Sequence, residues 1–289
     1  MNNSFGEGIL ERADIDLFHK RAVDELEAGR IKEGTFADIY GKEQVERDEN
    51  IVKRQEEEFE RNETPEQREL KKIADIFEAI VIEHGEMSEW FGGNASLIKT
   101  SKYDDYNNGI DAVIEYQYDE PKSSSFLGMA VDVTFRSDST TKLDRIKRHI
   151  DGGRLGELKY FQSANQEFHG KLSKLPELVV GVDRKTILEL AELWKGNRNK
   201  ALGEHRVQIM LLIQMKDQLE TFAMYAESLG KTEIAQVYRE RLALISGILA
   251  TKADLYKRVA HELDNDPVHF NIMYASSRIR ASLQKGKTT

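Results

Sequence analysis

The chain contains no cysteine, which excludes disulfides, thiolate zinc sites and cysteine nucleophiles together. No window approaches the ~20 apolar residues that a bilayer crossing demands. The histidines are scattered, and no two stand four apart beside a helical glutamate, so a zinc hydrolase finds no support. Gly92-Gly93 and Gly152-Gly153 match neither phosphate-loop pattern. No internal repeat or low-complexity tract is visible. The first residues lack the basic-then-apolar order of a secretory signal, so a cytoplasmic protein without a membrane segment is expected.

What is present is a length of 289 residues, enough for one large domain or two small ones. Hydrophobic residues make up 39% and charged residues 32%, the balance of a folded chain with heavily charged surfaces. The formal charge of −9 is not spread evenly. Residues 1–64 carry 18 acids and 10 bases, which leaves the remainder nearly neutral. Within that remainder, residues 136–159 hold 7 bases against 4 acids, and residues 184–206 hold 6 against 3. Both segments could meet phosphates, or could be ordinary solvated helix faces.

Periodicity sets the expected organisation. Residues 1–64 read as an acidic helical arm that docks on the body or on a partner. Thr64-Pro65-Glu66-Gln67 is a helix start with a capping box, and the helix is expected to close at Gly85. The period then changes from 3.6 to 2. Strands are expected over 95–101, 110–116 and 127–135, with Asn107-Asn108-Gly109 as a hairpin turn and 119–125 as a loop. A helix over 141–150, strands over 155–162 and 177–182, and a helix over 184–194 follow. Trp90-Phe91 reads as a packing plug, and Met210, Met215 and Met224 as core methionines. Two long amphipathic segments, 207–229 and 233–259, form a helical hairpin that Pro267 ends, with a frayed basic tail beyond it.

Three carboxylates stand out by context. Glu78 is the only charge between Ile76 and Ile82 on an otherwise apolar helix. Asp111 opens the second strand. Asp132 sits between Val131 and Val133 inside the third, where aspartate is disfavoured. If those strands pair, the two aspartates can be neighbours on one face. Carboxylates gathered in a partly buried site repel one another, and a hard divalent cation removes that conflict.

In that order and spacing, residues 66–194 resemble the restriction-endonuclease-like PD-(D/E)XK superfamily. The resemblance implies an α/β fold: a central mixed sheet with flanking helices, carrying an N-terminal helical arm (1–64), a core (65–200) and a C-terminal helical hairpin with a basic tail (201–289). It implies Mg²⁺-dependent hydrolysis of nucleic-acid phosphodiesters, Mn²⁺ being an alternative ion. Glu78, Asp111 and Asp132 would be the acidic set: the aspartates would bind the metal, and Glu78 would hold a water on it. The family's lysine falls on Thr134, so Lys142 or Lys147 would stand in, Lys142 being nearer. A nuclease-fold scaffold or protein-interaction module without cleavage is the alternative. Nucleic acid, a protein partner, or a second copy meeting the C-terminal helices are the expected partners.

Overall fold

The computed structural model describes residues 4–117, 124–131, 138–165 and 168–285. In chain order the helices and strands are α1 (Ser4–Gly29), α2 (Ala37–Tyr40), α3 (Lys42–Asn62), α4 (Pro65–Met87), β1 (Ala95–Lys99), α5 (Lys102–Asn108), β2 (Ala112–Gln117), β3 (Ser124–Val131) and α6 (Asp138–Asp151). Then come β4 (Gly156–Gln162), β5 (His169–Leu175), β6 (Glu177–Val180), α7 (Arg184–Lys195), α8 (Asn199–Gly203), α9 (Val207–Ser228), α10 (Thr232–Thr251), α11 (Ala253–Leu263) and α12 (Pro267–Lys285).

The fold is mixed α/β, with a small mixed sheet and flanking helices. Among the described residues the sheet has the order β1-β2-β3-β6. β1, β2 and β3 form an antiparallel meander, with Lys99 opposite Ala112 and Ala112 opposite Met129. β6 joins β3 in parallel, Gly128 beside Glu177. β2 is buried on both faces. Ala112, Ile114 and Tyr116 enter the main core, whereas Val113 packs with Leu158, Phe161, Leu172 and Leu175 of the β4–β5 hairpin. That hairpin forms its own two-stranded sheet, and its second strand is one the sequence pattern does not announce.

α4 starts as expected: the Thr64 hydroxyl accepts from the Gln67 N–H, and the Gln67 side chain accepts from the Thr64 N–H. It buries Ile73, Ile76, Phe77, Ile80 and Val81, each such side chain contributing ~1.5–3 kcal/mol when fully withdrawn from water. Gly85 does not end the helix, which runs on to Met87. Its missing side chain serves packing instead, since a Cβ there would lie 2.6 Å from Leu97 Cδ2.

The N-terminal segment docks on the body. Ile15, Phe18, Ala22 and Leu26 of α1 share the core of α4, and Val45 of α3 packs in a smaller cluster with Phe36 and Tyr160. α9 is packed into the body: Val207, Met210, Leu211, Met215, Leu219 and Phe222 are all fully buried. Met224, by contrast, is exposed, so that position is not a core methionine. Gln218 accepts from the Val179 N–H and donates to the Val179 carbonyl, and Gln214 does the same at Gly181. Two amides one helical turn apart thus replace the neighbour that β6 lacks among the described residues.

Three further expectations are corrected. The segment 102–108 is a helix, not the approach to a hairpin turn, because Ser101 caps it and Gly109, at φ 63°, closes it. The segment expected as one helix over 233–259 breaks at Lys252 into α10 and α11. Pro267 starts α12 rather than ending the helical region: Asp266 accepts from the Val268 and His269 N–H groups, and proline costs nothing at that first position. Part of each basic stretch is tied up in ion pairs. Arg145 and His149 meet Glu177, Lys159 meets Asp48, and Arg184, Lys195 and Arg206 meet Glu69, Asp14 and Glu189.

Candidate functional site

The site begins where β1 ends. Ala95, Leu97 and Lys99 point to one buried face, so the period of the strand carries the Lys99 ammonium inward. Beyond it the Thr100 N–H donates to the Asp111 carbonyl, and the Thr100 hydroxyl reaches the carbonyls of Ile110 and Asp111. Asp111 is thereby fixed beside the end of β1, one residue before β2. α5 follows at once: the Ser101 hydroxyl accepts from the Asp104 N–H, and the Asp104 carboxylate accepts from the Lys159 and Tyr160 N–H groups. With Asp104 committed to β4, the next residue, Asp105, turns toward Lys99.

Lys99 Nζ stands 2.5 Å from Glu78 Oε1 and 2.9 Å from Asp105 Oδ2. Arg30, just past α1, meets Asp105 at 3.3 Å and Glu27 at 3.1 Å, and donates to the Thr100 carbonyl. Helix, strand, short helix and N-terminal helix therefore converge on one ionic cluster.

Its electrostatics are unequal. Burial pushes Glu78 up to about 8, and the like charges of Asp111 and Asp105 add to this against the attraction of Lys99. Burial also acts to raise Asp105, but Lys99 and Arg30 outweigh it and hold that carboxyl below its ordinary value. Burial alone would lower Lys99; the two carboxylates that face it lift it above its ordinary value. Lys99 stays charged throughout, and Glu78 is the carboxylate that yields. Three carboxylates, Glu78, Asp105 and Asp111, interact here with the two cations Lys99 and Arg30. The surplus negative charge is met by a proton on Glu78 or by a cation from solution.

Above the cluster lies a cleft of about 580 Å³. Its lining includes Glu78, Asp105, Asp111, Lys142, Tyr106 and Phe59. Seven carboxylates and four cationic side chains line it altogether, a balance that suits a cation better than an unaccompanied polyanion. Of the residues singled out in the sequence, Glu78, Asp111 and Lys142 thus share one cleft. Asp132 and the Thr134 position lie outside the described residues. Lys147 points elsewhere, its ammonium 5.2 Å from the Tyr225 ring centroid. Lys99, Asp105 and Arg30 are the members that the sequence reading missed. The signal for Lys99 was there: it continues the Ala95, Leu97 face of its strand.

The donor set can be weighed against Mg²⁺. Among the described residues no three His, Asp or Glu side chains are arranged to cage a metal. Mg²⁺, however, is commonly held by one or two carboxylates, with water and substrate oxygens completing its shell. Asp111 and Glu78 supply that number, and the raised Glu78 carboxyl marks the charge that such an ion would neutralise. The residues fit a sparsely ligated ion. The chain matches no protein-family model, no curated protein and no solved structure.

Proposed function

We propose that the cleft binds Mg²⁺ or Mn²⁺ and that the protein is a nuclease-like hydrolase of nucleic-acid phosphodiesters. One observation carries this reading: Glu78, from the helix before the meander, and Asp111, from the head of its second strand, line one cleft together with Lys142. Helix α4, the β1–β2–β3 meander, helix α6 and, after the β4–β5 hairpin, the parallel strand β6 support a restriction-endonuclease-like arrangement of the core. When bound, the ion would activate water and offset charge on the phosphate in flight. Asp111 and Glu78, which line the cleft together, would hold it. Lys142, on the first turns of α6, would face the phosphate. Lys99 is a positioning residue: its side chain is 1% exposed and holds Glu78 and Asp105 in place rather than touching substrate.

The test is a Mn²⁺ titration by calorimetry, together with cleavage assays on single- and double-stranded substrates. The expected result is binding and metal-dependent cleavage, both lost in Asp111→Asn and Glu78→Gln. Folded protein that neither binds Mn²⁺ at millimolar concentration nor cleaves any substrate overturns the proposal. A second reading, binding without cleavage, is favoured by the burial of Lys99, which cannot replace the missing strand-three lysine at the substrate. Mn²⁺ binding with no turnover would decide for it.

A further inference from the structure

The proposed metal site leaves the mouth of the cleft unexplained. α3 is very polar, and three of its four apolar residues, Val45, Val52 and Phe59, fall seven apart on one stripe. The first two are buried, 3% and 4% exposed, but Phe59 is 60% exposed. The stripe runs past its packing partners and ends over the cleft, where Phe59 stands 5.8 Å from the Tyr106 ring, tilted by 33°. A large aromatic held at the mouth of an acidic cleft gains nothing from core packing. Asn62, one turn on, offers an amide at the same rim.

The charges argue against a duplex. Duplex binding rests on many phosphate contacts from a basic stripe, whereas the lining of this cleft is acidic in balance, seven carboxylates against four cationic side chains. Unpaired strands are held differently, by stacking bases on aromatic side chains. The cleft volume of about 580 Å³ lies within the range of small-ligand sites, ~300–1,000 Å³. We infer that the cleft takes an unpaired nucleotide at the end of a single strand, its base stacked on Phe59 and its phosphate toward the Asp111 floor. This rests on the metal-dependent reading above for the phosphate, but not for the base.

The test uses the full chain, with Ca²⁺ in place of Mg²⁺. The probes are a pentanucleotide with a terminal 2-aminopurine, the same strand in a blunt duplex, and 2-aminopurine deoxynucleoside monophosphate. Quenching of the probe and binding about tenfold tighter than the duplex are expected. Phe59→Ala should lose about tenfold, the size of one lost base–aromatic stack, and Phe59→Trp should retain binding. Melting temperature and Mn²⁺ affinity should be unchanged in both variants. Equal affinity of wild type and Phe59→Ala, or of strand and duplex, overturns the inference. Equal affinity for the monophosphate overturns the strand-end assignment in favour of a free nucleotide. If Mn²⁺ does not bind at all, the metal reading fails alone. The stacking is then judged in EDTA, where Phe59-dependent quenching sustains it and no quenching ends it.

Discussion

Lys99 and Glu78, one on the first strand and the other on the helix before it, meet at 2.5 Å with both side chains almost wholly withdrawn from water. Removing one partner of a buried pair costs far more than the pair contributes, because a charge is left uncompensated. Lys99→Met, which leaves Glu78 without its cation and Asp105 with Arg30 alone, is expected to destabilise the protein by about 3–5 kcal/mol. The double variant Lys99→Met with Glu78→Gln should recover part of that loss. Chemical denaturation of the three proteins checks both statements.

The raised Glu78 carboxyl makes metal binding a competition with a proton. Between its ordinary 4.5 and about 8 the folded chain holds more protons than the unfolded one, so the stability of the metal-free protein should fall as pH rises through that window. Divalent affinity should move in the opposite direction, rising about tenfold per pH unit below about 8 and levelling above it. Calorimetry in buffers of different ionisation enthalpy should register one proton released per ion below that pH.

The amide of Gln218 satisfies both backbone groups of Val179. Gln218→Leu keeps the volume but leaves a buried N–H and carbonyl without that partner, a loss of about 1–3 kcal/mol for each group. Urea midpoints should fall accordingly, with little change in metal affinity, because the cleft lies at the far side of the sheet order.

Gly109 closes α5 at φ 63°, and a Cβ there would lie 1.7 Å from Arg145 Nη1. Arg145 donates to the Gly109 carbonyl at 2.8 Å, two residues before Asp111. Gly109→Ala is expected to cost about 1–2 kcal/mol from backbone strain alone. It should also weaken Mn²⁺ binding, since Arg145 must move and Asp111 shifts with the turn. A melting curve and a Mn²⁺ titration on one sample read both effects.

The helix carrying Glu78 was legible because a single charge in an apolar stretch is conspicuous, and its Thr64-Pro65 start is a strong local signal. The same signal recurs as Asp266-Pro267, where the proline reads equally well as a stop; the carboxylate bonds at Asp266 decide the matter. Around Asn107-Asn108-Gly109 two local chemistries compete. The dipeptide suits a hairpin, but Ser101 and Asp104 cap a helix that ends on the same glycine, and the tie of Asp104 to β4 selects the helix. β5 escaped notice because its exposed face alternates lysine and serine beside few apolar residues. Asp105 and Arg30 could not be read as site members at all, since only the packing of α1 and α5 around Lys99 brings them together.

The glutamine pair on α9 has a consequence for how copies of this chain can associate. A strand whose outward peptide groups are already engaged offers no template to another molecule, and at the opposite border the Ile31 N–H already donates to the Lys99 carbonyl. Growth of the four-stranded sheet from one molecule into the next is blocked along β6 and interrupted at Lys99. A loss of Gln214 and Gln218 together would expose the β6 border to intermolecular strand addition.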